Sequence, residues 1–289
     1  MVNYIQRLLI IIVSNAGGQG KTTLARLLKS LLEMAGQPVQ ILDGDAGNAA
    51  ISVIDPTAAR LGWGVQSTVN AQIVEAFKDR HVIVDLGANT MASAREIADM
   101  LPQLIEDFEA VGHNTLAVFP MTPNKAGAAG ALERLTQLFP AQNKLVVLND
   151  LDGSGNFEPL DLPLPTAKLG HLAPGFMGYV DTLRGRSFGE AVMSPASDHQ
   201  IAAQHIARWM RSFGKDLPLQ AVFGPAVKQL GQLPAPDKIR FTVERVSSTS
   251  DAQLLENARK TTILDLLDKH GWDLVRFRDA IDEILGNQA

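Results

Sequence analysis

The chain of 289 residues has no cysteine, only 6% aromatic residues and no excess of basic charge. The lack of cysteine excludes disulfide bonds and thiolate metal sites. The six histidines are scattered without an His-x-x-x-His pair, which disfavours a transition-metal site. No segment approaches the ~20 apolar residues of a membrane-spanning helix, so we expect no stable membrane insertion. The net charge of −5 gives no overall case for nucleic-acid binding, and DNA contact stays open.

The first apolar segment, Leu8–Val13, is too short for the apolar region of a signal peptide and has no small-residue cleavage site after it. It ends directly in a glycine-containing segment, which is typical of a buried parallel strand. We therefore expect a cytoplasmic protein.

Residues 1–150 alternate strand-like and helical segments, which predicts the α/β class with a doubly wound, mostly parallel sheet. The predicted strands are Leu8–Ser14, Val39–Leu42, a weaker one near Trp63–Thr68, His81–Leu86, Thr115–Phe119 and Lys144–Leu148. The predicted helices are Lys21–Ala35, Ser93–Phe108 and Ala126–Leu138. In such sheets ligands bind beyond the carboxyl ends of the strands.

The rest of the chain is less regular. We expect residues 151–175 to form loops around a short edge strand, and Ser187–Phe213 to form one or two helices. The prolines in Pro218–Pro236 favour a linker. Beyond it, the sequence predicts a strand at Ile239–Val246 and two amphipathic helices at Leu254–Lys269 and Trp272–Leu285.

The strongest motif follows the first strand, where Asn15 to Thr23 read N-A-G-G-Q-G-K-T-T. It matches the phosphate-binding pattern G-x-x-x-x-G-K-[ST], except that Asn15 replaces the first glycine. Glycines allow the backbone N–H groups to surround phosphate oxygens, and the helix that begins at Lys21 adds its positive end. The predicted nucleotide-binding residues are Gly17, Gly18, Gln19, Gly20, Lys21, Thr22 and Thr23. Lys21 is expected at the β- and γ-phosphates, Thr22 at Mg²⁺ and Thr23 at the α-phosphate.

Carboxylates close two of the predicted strands. Asp85 ends a hydrophobic strand, as the acid that assists Mg²⁺ in nucleotidases does. Asp45 follows the second strand and is a candidate to orient an attacking water or to hold a metal-bound water. Asp43 is a weaker candidate for the same role, and all three are alternatively ordinary turn residues at strand ends.

Asn149 closes the Lys144–Leu148 strand and either pairs with the nucleotide base or simply forms a turn. A guanine-specific site would read Asn-Lys-x-Asp, whereas residues 149–152 read Asn-Asp-Leu-Asp. The lysine is missing, so adenine is preferred and the expected ligand is ATP with Mg²⁺.

Three segments together resemble the ParA/MinD family of P-loop ATPases: Gly17–Thr23, Leu42–Asn48 and Val82–Gly87. The resemblance covers about residues 5–215. It implies that Lys21 and Thr22 hold phosphate and Mg²⁺, that Asp45 assists hydrolysis and that Asp85 is the Walker B acid. It also implies a nucleotide switch in plasmid or mobile-element partition, stability or transfer, and an ATP-bound homodimer.

The family's loop usually opens Lys-Gly-Gly, and this chain has Ala16 at the position of that signature lysine. The lysine reaches the partner subunit's nucleotide in the family, so Ala16 raises two alternatives to an ATPase. One is an ATP-sensing module without hydrolysis, and the other is a small-molecule kinase or ligase on the same fold. Arg60 and Lys125 are candidates to replace the missing cation by residue type alone.

We therefore predict a P-loop ATPase domain at residues 1–215 and a mostly helical C-terminal extension at residues 216–289. The last predicted helix carries four acidic and two basic residues, which disfavours binding to anionic lipid. Its apolar face is expected to pack on the core or, alternatively, to dock a partner protein.

Overall fold

The structure is a computed structural model that describes residues 7–45, 50–63, 68–88, 95–141, 143–182, 187–195 and 199–233. These residues all belong to one compact unit that ends at Leu233. The strand predicted at Ile239–Val246 and the helices predicted at Leu254–Lys269 and Trp272–Leu285 lie outside the described residues. The division of the chain at residue 215 stays a prediction.

The described residues form a seven-stranded parallel sheet with the strand order β3-β2-β4-β1-β5-β6-β7. The strands are β1 (Arg7–Ile12), β2 (Val39–Gly44), β3 (Ala59–Arg60), β4 (His81–Leu86), β5 (His113–Met121), β6 (Asn143–Asn149) and β7 (Thr166–Leu169). The helices are α1 (Lys21–Met34), α2 (Ala50–Ile54), α3 (Thr68–Phe77), α4 (Arg95–Ala110), α5 (Ala128–Leu138), α6 (Pro174–Thr182), α7 (Phe188–Met193), α8 (Gln200–Asp216) and α9 (Gln220–Gln232). The predicted fold class is confirmed.

Strand β1 lies in the middle of the sheet, between β4 and β5. Its residues from Leu8 to Ile12 are buried, as expected for a strand covered by helices on both faces. The register pairs Ile12 of β1 with Asp85 of β4. The chain leaves β1 into the glycine loop at this edge, so the loop and Asp85 are brought to the same end of the sheet.

Most of the strand predicted near Trp63–Thr68 lies outside the described residues, which do not include 64–67. The third strand is the two-residue β3, at Ala59–Arg60, and the helix α3 begins at Thr68. The Trp63 indole donates a hydrogen bond to the Gly44 carbonyl at 3.1 Å, so its ring packs beside the end of β2.

The linker predicted at Pro218–Pro236 is wrong over its described part, because residues Gln220–Gln232 form α9. Pro225 lies inside this helix and removes one backbone N–H donor. The helix nevertheless buries an apolar face against α8 and α1, and the buried residues are Val222, Phe223, Ala226 and Leu230. This burial compensates for the local cost of the proline, as tertiary packing commonly does.

Candidate nucleotide-binding site

The glycine loop connects β1 to α1 at the carboxyl edge of the sheet. Gly18 and Gly20 have positive φ angles of 71° and 80°, a backbone conformation that favours glycine. Gly20 caps α1, and its carbonyl accepts the first helical hydrogen bond from the Leu24 N–H at 2.9 Å. Among the described residues, no neighbouring atom lies within 4 Å of the positions that a Cβ would take on Gly17 or Gly18. The loop therefore presents an open backbone surface in front of a helix N-terminus, as an anion-binding loop requires.

Buried polar side chains hold the loop from beneath. The Gln19 side-chain oxygen accepts hydrogen bonds from the Thr122 N–H at 3.0 Å and from its hydroxyl at 2.9 Å. The Asn149 amide donates to the Gln19 carbonyl at 2.9 Å. Gln19 and Asn149 are both buried. The structure thus gives both side chains a supporting role under the loop, and it adds Thr122, which no sequence motif indicated.

Lys21 lies at the start of α1, and its ammonium donates to the Ser14 hydroxyl at 3.1 Å. That hydroxyl donates in turn to the Ala16 carbonyl at 2.8 Å, so the lysine is held across the loop. Burial lowers the pKa of Lys21, while the nearby carboxylates of Asp85 and Asp45 act in the opposite direction. The site therefore holds a partly desolvated cation, which interacts strongly with an incoming anion.

Thr22, in the first turn of α1, donates its hydroxyl to Asp85 Oδ2 at 2.8 Å. The other oxygen, Asp85 Oδ1, is buried and has no hydrogen-bond partner among the described residues. Burial raises the pKa of Asp85 to about 6, against the opposing effects of the Thr22 hydrogen bond and of Lys21. A buried carboxylate oxygen without a donor is costly, and it fits the water of a bound Mg²⁺.

The two acidic residues at the end of β2 differ in their surroundings. Asp43 is buried and accepts hydrogen bonds from the Asp45 N–H at 3.1 Å and from the Ser52 hydroxyl. It therefore fixes the turn after β2 and the start of α2. Asp45 is half-buried and acts electrostatically on both Lys21 and Asp85. This favours Asp45 over Asp43 as the residue that faces a ligand.

The structure separates the two candidates for the missing cation. Arg60 is exposed on β3 at the edge of the sheet. Lys125 follows β5, and its ammonium donates to the Gly17 carbonyl at 3.4 Å.

Thr23 is half-buried in the first turn of α1, beside Thr22.

The donor set suits Mg²⁺ with a nucleotide better than a metal cage made only of protein. Within the ranges that the structure covers, no group of three or more histidine, aspartate or glutamate residues is placed to hold a metal. Mg²⁺ in nucleotide sites typically takes one or two protein ligands, with phosphate oxygens and waters completing the shell. Thr22 directly, and Asp85 through water, would supply the protein's share.

A parallel sheet, a glycine loop after its central strand and a Thr–Asp pair at the same edge define a P-loop nucleotide-binding protein. The model of the CobQ/CobB/MinD/ParA nucleotide-binding domain matches residues 10–288. The chain therefore belongs to this family, as the three motif segments predicted. Across the described part of the chain, no helix is both long enough and apolar enough to cross a membrane.

Several solved structures have a similar fold. MinD from Pyrococcus horikoshii OT3, complexed with Mg-ADP, is 19% identical, with 75% of this chain and 98% of that chain covered and a TM-score of 0.46. MinD from Aquifex aeolicus is 15% identical, with 79% and 98% covered and a TM-score of 0.43. A ParA family ATPase from Chlorobium tepidum TLS is 14% identical, with 71% and 98% covered and a TM-score of 0.43. No curated protein matches the sequence significantly.

Proposed function

We propose that the chain binds ATP with Mg²⁺ at the glycine loop and hydrolyses it, so that the bound nucleotide acts as a switch. The observation that carries this proposal is the Thr22–Asp85 pair, whose buried Asp85 Oδ1 lacks a partner among the described residues while Lys21 stands nearby. Such an arrangement costs stability, and binding of a metal–nucleotide complex would compensate for it.

In this mechanism Lys21 binds the β- and γ-phosphates, and the loop N–H groups and the α1 N-terminus neutralise phosphate charge. Thr22 and Asp85 would hold Mg²⁺, which supplies charge stabilisation while the phosphate is transferred. Asp45 orients the attacking water, and its backbone is fixed by Asp43. The segments that follow Asp45 and Asp85 are proposed to contact the terminal phosphate and to report its presence to a partner.

The proposed setting is the partition, stability or transfer of a plasmid or other mobile element. The support for this setting is that the chain belongs to a family whose description includes ParA and MinD. The setting is therefore inferred from the shared fold and not from the residues of the site. A homodimer is proposed on the same ground. The apolar face of the last predicted helix is proposed to pack on the core or, alternatively, to dock a partner protein.

A second candidate function is an ATP-sensing module without hydrolysis. Ala16 favours it, because the loop begins without the lysine that the family uses at that position. A small-molecule kinase or ligase on the same fold is the third alternative.

The test is to measure ATP binding by calorimetry with and without Mg²⁺, and phosphate release with and without DNA or candidate partners. Lys21→Ala is expected to abolish binding, and Asp45→Ala to preserve binding but reduce release. Lys228→Ala, on the exposed side of α9, removes the same charge outside the site and serves as the control. Binding without release under every condition would favour the sensing module, and transfer of phosphate to a small acceptor would favour the kinase. No ATP binding by the wild type would exclude all three.

A further inference from the structure

Lys125 brings a second cation to the glycine loop from a different part of the sheet. It lies between β5 and α5, and its ammonium approaches the Gly17 carbonyl at 3.4 Å. Its charge lowers the pKa of Lys21, which places the two ammonium groups within electrostatic reach of each other. A 3.4 Å contact to a single neutral carbonyl is a weak hydrogen bond, so little would be lost if the ammonium turned to a stronger acceptor.

The segment that carries Lys125 is fixed on its N-terminal side by its neighbour Asn124. Asn124 has a positive φ of 54°, and its side chain donates to Asp152 at 2.7 Å and to Ser154 at 3.0 Å. Its side-chain oxygen accepts from Asn156 at 2.8 Å. These contacts join the segment after β5 to the segment after β6.

The C-terminal side of the segment is fixed by Glu158. Its two carboxylate oxygens accept hydrogen bonds from the N–H groups of Gly127, at 2.8 Å, and Ala129, at 2.9 Å, at the start of α5. The backbone on both sides of Lys125 is therefore held in place. A cation on such a segment loses less conformational freedom on binding a ligand than one on an unbraced loop.

Ala16 and Lys125 line the same cavity, of about 180 Å³, between the glycine loop and α5. The small side chain of Ala16 leaves this side of the loop without a cation of its own. Lys125 supplies one from the wall of the same cavity. The loop has no lysine at position 16. Lys125, more than a hundred positions later in the chain, brings a positive charge to the same region.

We propose that Lys125 is a second phosphate-binding cation that acts together with Lys21 on the terminal phosphates of the nucleotide within the same chain. The inference rests on the proposed nucleotide function and adds a residue to it. Lys125 lies at the Gly17 carbonyl, in the loop that precedes Lys21, so its charge bears on the phosphates that this loop binds rather than on the base. Lys125 therefore discriminates ATP from ADP.

The decisive variant is Lys125→Gln, because a glutamine amide still donates to a carbonyl but carries no charge. We expect it to weaken ATP binding about tenfold and ADP binding by less than about threefold, since a charge-assisted contact to the terminal phosphate is lost. The difference is expected to shrink at high ionic strength, because the site is exposed to solvent. Lys125→Arg should stay within about threefold of the wild type.

Calorimetric titration with ATP and with ADP, at low and high salt, provides the measurement, with Lys228→Gln as the matched control. Unchanged ATP affinity in Lys125→Gln, in a protein whose ATP binding is abolished by Lys21→Ala, would overturn this inference alone. Equal losses for ATP and ADP would also overturn it, because Lys125 would then not act at the terminal phosphate. A wild type that binds no ATP would overturn the proposed function as well.

Discussion

Thr22 and Asp85 join the first turn of α1 to the end of β4 through a 2.8 Å hydrogen bond that uses one oxygen of a buried carboxylate. The second oxygen has no partner in the part of the chain that the structure describes. A fold optimised for stability alone would not retain such a group, because an ionised carboxylate loses much of its hydration when it is buried. This cost is the expected signature of a residue kept for binding.

The first prediction concerns Asp85→Asn without nucleotide. The pKa of Asp85 is raised from 3.8 to about 6, so the protonated form is favoured in the folded state. The stability that the protonated Asp85 carboxyl contributes is complete below pH 3.8 and is lost as the pH rises through about 6. At pH 8 the neutral asparagine is therefore expected to increase the free energy of unfolding by about 1–3 kcal/mol. Urea denaturation at pH 8 and at pH 4 provides the measurement.

The same variant is expected to lose the enhancement of ATP binding by Mg²⁺, since asparagine is a poorer partner for the metal's water. Asp161→Asn removes an exposed carboxylate and should change neither quantity. A destabilised Asp85→Asn variant at pH 8 would contradict the prediction, because it would mean that the carboxylate stabilises the folded protein.

Sequence and structure agree best where local pattern and burial point to the same answer. β1, the glycine loop and α1 follow from a continuous apolar run, closely spaced glycines and a leucine-rich helix face. The sequence does not predict β3, since two residues carry no periodicity. The sequence does not predict the helix α9, because Pro225 disfavours a helix in any argument from local sequence. The helix forms because its apolar face packs on α1 and α8.

The candidate site shows the same limit. The motif predicts Lys21, Thr22 and Asp85 as site residues, because it fixes their spacing from the strand ends. The sequence does not predict the hydrogen bonds that support the loop, because the alignment of β1 with β5 is what brings Thr122 next to Gln19. The sequence makes Lys125 a candidate by residue type alone. Its position next to Gly17 depends on the hydrogen bonds that join the segment after β5 to the segment after β6.

The second prediction concerns Gly20→Ala. A Cβ at Gly20 would lie 2.2 Å from the Asn149 amide nitrogen, and the φ of 80° is unfavourable for alanine. We expect the variant to lose about 2–4 kcal/mol of stability, from the left-handed backbone and the broken Asn149–Gln19 hydrogen bond. Thermal and urea denaturation measure the loss.

Gly17→Ala provides the matched control for stability. Its φ is not positive, and its Cβ would meet no atom of the residues that the structure describes within 4 Å. It is expected to change the free energy of unfolding by less than about 0.5 kcal/mol. Equal destabilisation by the two substitutions would show that the loop tolerates neither, and that the contact with Asn149 does not decide the effect.

The third prediction is an energetic coupling between Gln19 and Thr122. The variants Gln19→Met and Thr122→Val each remove one side of the 2.9 Å hydrogen bond between their side chains. A double-mutant cycle on unfolding is expected to give a coupling of about 1 kcal/mol, a typical value for a buried neutral pair. A cycle between Gln19→Met and Thr136→Val should be additive, because Thr136 donates to the Glu133 carbonyl instead. Additivity in both cycles would contradict the support assigned to Gln19.

The fourth prediction concerns His81, which starts β4 and is 2% exposed. Its Nδ1 accepts a hydrogen bond from the Leu8 N–H at 3.1 Å, so protonation at Nδ1 would remove this acceptor from the start of β1. Burial, together with the nearby charges of His113 and Arg7, lowers the pKa of His81 from 6.5 to about 4. The unfolded chain therefore binds a proton between these pH values that the folded protein does not bind.

It follows that the stability provided by neutral His81 is complete above pH 6.5 and is lost as the pH falls towards 4. The full loss is on the order of 3 kcal/mol. Because Asp85 changes stability in the opposite direction with pH, the prediction is best tested as a difference between variants. His81→Asn keeps an acceptor close to the position of Nδ1 but does not titrate, so its stability deficit relative to the wild type should shrink from pH 7.5 to pH 4. Urea denaturation across this range, with His171→Asn as a control, measures the deficit. A deficit that stays constant would mean that His81 does not titrate between the folded and unfolded states as described, and that acid sensitivity in this range comes from other groups.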